Sequence, residues 1–573
     1  MYVATVNTGT LATQVYYGGQ TSSLTAVTGW TANLSALSLP WLDSSFVFAG
    51  SFAFLDCPIT PPKMMVASVG GVVFPGDTVY NWGITAPAAP PTVAVGAAGL
   101  LSGVYYYVIT YLGSANSALI APESGAGPFS ASVTVTNQQV NLTGIPVSSD
   151  PQVTARNIYR MGGTIGGTPL LIGTLTGSAT TYTDNLADSA VTGQQLILRQ
   201  DPANFYGWVA ICQHKGRMWG FGSVSGGGNY QSDLWYSNYL QFTSFNSVTQ
   251  VLTCGQSSED FPMGMASLDS ILVLFKQQTV WLCFGDSQND FITRQVFEIG
   301  CCSKGSIATG FGKVFWLSPD GIYSYDGSSY PVNISDGSVV QGSVRTTINS
   351  ILATTDGVAF SYFHNAGCRG FITNRTYYLS VYSVNQLTPQ FTLGYDLING
   401  GWTYIPYSTH AIGIITNTPY NNTAIDTSEN TVIGRSIVLG ANSTTSGVVD
   451  QWFSAETDLG ASIAANWTTN VTDSNAPSTT KQYRYIEVVS PTQSQTANIS
   501  LIVDPGTNQT VFGPFAIDLS QGTSRHRISL PALACGYECQ LLIATSSTSQ
   551  VIIDAVRVLG YIKRINSPMP ADA

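Results

Sequence analysis

ILVLFKQQTVWLCFGD (Ile271–Asp286) is two short apolar runs joined by a polar turn and closed by Gly-Asp. The runs are four to six residues long, rich in β-branched and aromatic side chains and bounded by turn residues, which is the pattern of a β-hairpin buried on both faces. GKVFWLSPDGIYSYDG (Gly312–Gly327) repeats the design, with a Pro-Asp-Gly turn between its halves. HKGRMWGFG (His214–Gly222), DLWYSNYL (Asp233–Leu240), NRTYYLSVYS (Asn374–Ser383) and FTLGYDLINGGWTYI (Phe391–Ile405) belong to the same series. Each phrase reads as half of a four-stranded propeller blade, in which aromatic residues wedge between radial sheets and Gly or Asp makes the tight turns.

Strand runs continue on either side. SFVFAGSFAFL (Ser45–Leu55) and VVFPGDTVYNWGI (Val72–Ile84) have the blade character, so residues 1–89 are read as propeller strands. The proline-rich ITAPAAPPTVAV (Ile84–Val95) marks a boundary. From 90 to 198, VYYYVITYL (Val104–Leu112), ASVTVTNQQVNL (Ala131–Leu142), VTARNIYR (Val153–Arg160) and TTYTDN (Thr180–Asn185) suggest some seven strands of an immunoglobulin- or fibronectin-III-like sandwich inserted in the propeller. Residues 199–450 carry the remaining blades. After the polar TTNVTDSNAPSTTKQ (Thr468–Gln482), residues 451–573 end in about seven strand candidates, among them VIIDAVRVLGYI (Val551–Ile562), read as a second, jelly-roll-like sandwich. The expected fold is all-β. VRTTINSIL (Val344–Leu352) is the one stretch with helical spacing.

Composition agrees. Of 573 residues, 44% are hydrophobic and 11% aromatic, while only 9% are charged against about a quarter in typical globular chains. Such a length calls for three or four cores at about 100–200 residues each. With 21 Lys plus Arg against 32 Asp plus Glu, the net charge of −11 gives no footprint for tight nucleic-acid binding. The first residues lack a basic region followed by an apolar core, and no run approaches the ~20 apolar residues of a membrane span, so a soluble protein made in a cytoplasm is expected.

Motifs for chemistry are scarce. The four histidines, His214, His364, His410 and His526, have no metal-protease spacing and read as structural. Of nine cysteines, Cys301–Cys302 are adjacent and Cys535 and Cys539 lie four apart, a weak zinc signal better read as buried thiols or an incidental disulfide. SPDGIYSYDG (Ser318–Gly327) looks superficially like a sialidase Asp-box, but a sialidase also needs an arginine clamp, for which Arg217, Arg345, Arg369 and Arg375 show no spacing. Glu259–Asp260 point to opposite faces of a strand and make a poor glycosidase pair. No phosphate loop, dinucleotide fingerprint or serine-hydrolase elbow is present. No catalytic, cofactor-binding or metal-binding residue is assigned, and no enzyme is expected.

In their order, HKGRMWGFG, DLWYSNYL, LVLFKQQTVWLCFGD (Leu272–Asp286), IGCCSKGSIATGFGKVFWLSPDGIYSYDG (Ile299–Gly327) and YDLINGGWTYI (Tyr395–Ile405) resemble the tail nozzle proteins of short-tailed bacteriophages, also called tail tubular protein B or packaged-DNA stabilisation proteins. With VYNWGITAP (Val79–Pro87) and the inserted sandwich, the resemblance spans about Ser45 to Ile405. It implies a virion structural protein: a propeller subunit of a sixfold homo-oligomeric ring below the portal and adaptor, enclosing a channel that retains and releases the genome. The implied partners are copies of itself, the head-to-tail adaptor, tail fibres or spikes, and genomic DNA passing without sequence-specific binding. The place implied is the phage tail, assembled in the host cytoplasm. Two alternatives remain open, a receptor- or carbohydrate-binding tail adhesin using the many Tyr and Trp residues, and a propeller glycan hydrolase.

Overall fold

The computed structural model describes residues 2–6, 12–17, 25–33, 45–49, 52–57, 60–66, 79–113, 123–191, 207–223, 231–246, 248–255, 260–328, 330–336, 368–373, 375–382, 389–405, 409–416, 436–442, 449–452, 463–469, 471–472, 479–505, 509–520, 525–547 and 551–562. The described residues form antiparallel β-sheets with two single-turn 3-10 segments and no α-helix. The chain divides into two compact units, Met1–Cys301 and Cys302–Ala573. No described helix is long and apolar enough to cross a membrane. The helical stretch expected at Val344–Leu352 lies outside the described residues.

In the first unit, the strands Tyr2–Val6, Ala12–Tyr17 and Thr25–Asn33 make a three-stranded meander. Ser45–Ala49, Phe52–Cys57, Thr60–Val66 and Val79–Asn81 then form a four-stranded sheet in sequence order, the up-and-down arrangement of a propeller blade. A second blade comprises Trp208–His214, Arg217–Ser223, Asp233–Tyr236 and Val251–Thr253, and a third Pro262–Leu268, Ile271–Lys276, Val280–Phe284 and Ile292–Phe297. Ile271–Lys276 is buried along its whole length, as its unbroken apolar run predicts for a strand covered on both faces.

The sandwich is inserted between the first and second blades, which nevertheless pack together. Phe54, Met64 and Trp82 share one core with Trp208, Met218, Phe242 and Phe245. The Trp82 indole donates to the Phe242 carbonyl at 2.8 Å and meets the Trp208 ring edge-on at 5.4 Å. Second and third blades close over Trp219, Phe221 and Leu234 against Leu272, Leu274 and Phe291, with the Trp219 and Phe291 centroids 4.9 Å apart. Aromatic packing of this kind adds about 0.5–1.5 kcal/mol per pair beyond the buried area.

The inserted segment is simpler than its turn residues suggest. Among the described residues, against the seven or so strands expected, five form one hydrogen-bonded sheet: Gly166–Thr176, Val153–Gly162, Thr92–Gly113, Val133–Thr143 and Tyr182–Asp184, in that spatial order. The difference lies in the 22-residue strand Thr92–Gly113, whose register against Val133–Thr143 shifts three times between Val95 and Ser102. Its glycines bend the strand rather than end it, since a β-carbon on Gly99 would stand 2.4 Å from the Asn185 side-chain oxygen. The bent sheet closes over Leu101, Tyr105, Tyr107, Ile109, Val140 and Ile158.

The second unit begins with the blade Ala308–Gly310, Lys313–Ser318, Gly321–Tyr325 and Val332–Asn333. It packs on Arg369–Thr373, Thr376–Tyr382, Pro389–Asp396 and Trp402–Ile405, with Phe315 stacked on Tyr377 at 5.0 Å. Thr409–Thr416, Ser436–Asn442 and Val449–Trp452 make a further three-stranded meander. The C-terminal sandwich faces Ile463–Thr468, Cys539–Ser547, Thr496–Val503 and Thr510–Asp518 with a second sheet. That sheet is centred on Lys481–Val489, with Arg525–Ser529 on one side and Ala555–Ile562 on the other. Ile486, Val488, Ile499, Leu501, Leu541 and Ile543 fill the space between the layers.

Candidate functional site: polar clusters in the sheets

The hairpin joining Trp208–His214 to Arg217–Ser223 gathers three basic residues at the end of the second blade. His214 is buried, and its Nδ1 lies 2.7 Å from Ser267 Oγ on the third blade. Burial, with Lys215 close by, holds the His214 imidazole down to about 4. Lys215 Nζ reaches Asp286 Oδ1 at 2.6 Å and donates to the Gly285 carbonyl at 2.7 Å. Arg217 donates to the Ser237 carbonyl at 2.7 Å and sits 5.5–5.9 Å from the ring centroids of Tyr236, Tyr239 and Phe291. A Ser–His contact is the first step toward an activated nucleophile, which also requires a base titrating near neutrality and a group to orient it. This imidazole is a weak base, and Asp286, whose field reaches it, is tied to Lys215. The arrangement pins two blades together.

The inserted sandwich holds a fully buried ion pair. Arg160, fully buried, donates through Nη1 to Asp184 Oδ2 at 2.6 Å and to the Leu186 carbonyl at 2.8 Å, and through Nη2 to Asp188 Oδ1 at 2.9 Å. The Tyr107 hydroxyl donates to the same Asp184 oxygen at 2.8 Å, and Asp184 Oδ1 accepts the Leu186 N–H at 3.0 Å. Burial together with Asp184 pushes the Tyr107 phenol far up, so it stays protonated and donates to that carboxylate. On the other face, Glu123 Oε1 accepts from Thr110, from Asn157 at 2.9 Å and from Tyr159 at 2.7 Å. That carboxylate anchors the segment 123–130, whose backbone bonds run along Tyr107–Tyr111. Both clusters fasten loops to the sheet.

In the C-terminal sandwich, Glu487 is bridged by Arg527 at 3.2 Å and Arg557 at 3.5 Å from the flanking strands. A shallow cleft of about 400 Å³ lies between Ala516–Asp518 and Arg525–Ile528, where His526 Nε2 is buried without a hydrogen-bond partner.

The residues singled out in the sequence do not converge within either unit. Arg369 begins the strand Arg369–Thr373 whereas Arg375 lies in the turn beyond its far end, and Arg345 lies outside the described residues. Asp260 accepts from Gln278 N at 2.7 Å and Thr279 Oγ1 at 2.5 Å, a turn-closing role, and Glu259 lies outside the described residues. Asp320 accepts from the Tyr323 hydroxyl at 3.0 Å within the hairpin it closes. His364 lies outside the described residues, as does the side chain of His410. The eight cysteines described are in no disulfide, Cys535 and Cys539 included, and burial pushes Cys254 and Cys283 up to about 12. Among the described residues no group of three or more His, Cys, Asp or Glu is placed to hold a metal ion. The Arg160–Asp184–Asp188 network escaped the sequence reading because its members lie 24 and 28 residues apart and only strand register unites them.

No family model matches the chain, and no curated protein matches it. Among solved structures, it is similar to an exo-beta-1,3-galactanase from Phanerochaete chrysosporium, as a variant with beta-1,3-galactotriose, at 10% identity and a TM-score of 0.22 over 62% of this chain and 94% of that one. The same enzyme with galactose matches at 10% and 0.22 over 60% and 95%. The computationally designed Ika8 protein matches at 10% and 0.24 over 73% and 98%. The fold described above rests on strand order and register, not on these neighbours.

Proposed function

We propose that this chain is a non-catalytic structural subunit that assembles with copies of itself into a ring, as the resemblance to phage tail nozzle proteins implies. The observation that carries the reading is where its polar and apolar groups are used. The described buried charges close loops and tie strands, whereas large apolar side chains stand in solvent on the blades: Tyr239, Ile292, Phe311 and Tyr330 are each more than 60% exposed. Phe311 and Gly312 form the hairpin tip between Ala308–Gly310 and Lys313–Ser318, both at positive φ, of 53° and 70°. A bulky residue held there against its preference, with most of its surface left exposed by its own chain, fits a contact made with another subunit. On this reading the ring encloses a channel for the genome, the adaptor and tail fibres or spikes are its neighbours, and the virion tail is its place.

Electron microscopy and mass measurement of the purified full chain test it. Closed rings with an axial opening are expected, and a strictly monomeric particle refutes the proposal. The exposed Tyr239, Tyr330 and Trp467 favour one second reading, a glycan-binding tail module. Binding on a glycan array by a chain that does not assemble would support that instead.

A further inference from the structure

The outer face of the Lys481–Val489 sheet concentrates positive charge in an acidic protein. Alternation turns Ile486 and Val488 into the core and leaves Tyr485, Glu487 and Val489 facing out. Register places Arg527 and Arg557 on either side of Glu487, and Arg525 beside Val489. Arg484, at the strand's irregularity, is exposed on the Tyr561 side of the same sheet. Two arginines thus flank one glutamate and two more stand on the same sheet. Arg527 and Arg557 remain 58% and 55% exposed although both bond Glu487. The guanidinium of Arg527 lies 5.3 Å from the Tyr485 centroid and that of Arg484 5.1 Å from the Tyr561 centroid. The forks are held in place ahead of any partner, which lowers the entropy lost on binding.

Charge elsewhere is opposite. Residues 481–573 carry seven Lys or Arg and six Asp or Glu, whereas residues 1–480 carry fourteen against twenty-six. Exposed carboxylates stand at the loops of the blade that opens the second unit, Asp320 and Asp326 among them. Because both tyrosines carry a guanidinium, this face favours discrete carboxylates over the stacking of bases or sugars. We propose that the arginine face of the C-terminal sandwich docks on the acidic blade surface of a second copy of this chain. Two different patches then meet, the heterologous contact that closes into rings. The inference rests on the assembly reading above and names the surface that carries it.

The test is sedimentation of the full chain with two variants. Arg525→Glu reverses an exposed charge and leaves both Glu487 pairs in place. The set E487Q/R525Q/R527Q/R557Q removes three of the four arginines without stranding a buried carboxylate, and circular dichroism checks its fold. Either variant is expected to weaken association about tenfold or more, and wild-type association to weaken as salt rises from about 0.1 M to about 1 M and the screening length falls from about 10 Å to about 3 Å. A wild type that assembles while both variants assemble equally, insensitive to salt, overturns the inference and leaves the assembly reading standing. A wild type monomeric at every concentration overturns both. Variants that assemble normally but lose binding to heparin or single-stranded DNA would make the face a polyanion site and overturn docking on a second copy.

Discussion

Replacing Asp184 by Leu isolates what the buried network contributes to the inserted sandwich. One oxygen of Asp184, Oδ2, accepts from both Arg160 at 2.6 Å and the Tyr107 hydroxyl at 2.8 Å, and the side chains of Arg160 and Asp184 are fully buried. Breaking a buried ion pair from one side costs about 3–5 kcal/mol, because the remaining charge keeps its desolvation penalty without its partner. Asp188, still 2.9 Å from Arg160 Nη2, moves the expected loss toward the lower end, about 3 kcal/mol, while the orphaned Tyr107 hydroxyl adds about 1–3 kcal/mol. Replacing Arg160 by Met in the same chain removes the stranded charge, so the double variant should recover at least about 2 kcal/mol relative to Asp184→Leu. Hydrogen exchange across Val104–Leu112 in the full chain reads the opening free energy of this sheet alone, avoiding a two-state assumption for a multi-domain protein. A single variant that loses under about 1 kcal/mol, or a double variant whose loss is the sum of the two singles, would refute the account.

His214 titrates near 4 in the folded protein against about 6.5 unfolded, so its contribution is complete above about pH 6.5 and is lost as pH falls toward 4. The loss is roughly 3 kcal/mol before solvent screening and about 2 after it, and His214→Gln should flatten that part of the pH–stability curve; an unchanged curve contradicts the assignment. Phe311→Asn relieves a left-handed phenylalanine and should raise thermal stability by up to about 1 kcal/mol while weakening self-association, with calorimetry and sedimentation reading the two effects. Weaker association together with lower stability would point to a folding role for Phe311 instead.

The blades were legible because each hairpin signals its core and its turn together. Lys313–Ser318 and Gly321–Tyr325 are apolar runs around Ser-Pro-Asp-Gly, and apart from Lys313 they are buried throughout. The long strand of the inserted sandwich was only partly legible: the run Val104–Leu112 is its apolar end, and Gly96, Gly99 and Gly103 in Thr92–Gly113 permit a bend where other chain segments press close. The polar clusters were not legible for a different reason. Arg484, Arg525, Arg527 and Arg557 belong to three strands that only tertiary pairing places side by side. Likewise His214 and Ser267 lie 53 residues apart, and single-strand alternation carries no information about which strand becomes a neighbour.

In the second unit, the sheet of the last four-stranded blade continues into the C-terminal sandwich. Trp402–Ile405 has four register pairs with its blade neighbour and Ile463–Thr468 has six with Cys539–Ser547, yet among the described residues the two strands meet at the single pair Tyr404–Asn466. Under tension that seam is the rung with the fewest bonds. A pull on the C-terminal sandwich would load it first and part the sheet there, leaving the bonding of both layers intact, so the junction has the layout of a mechanical fuse.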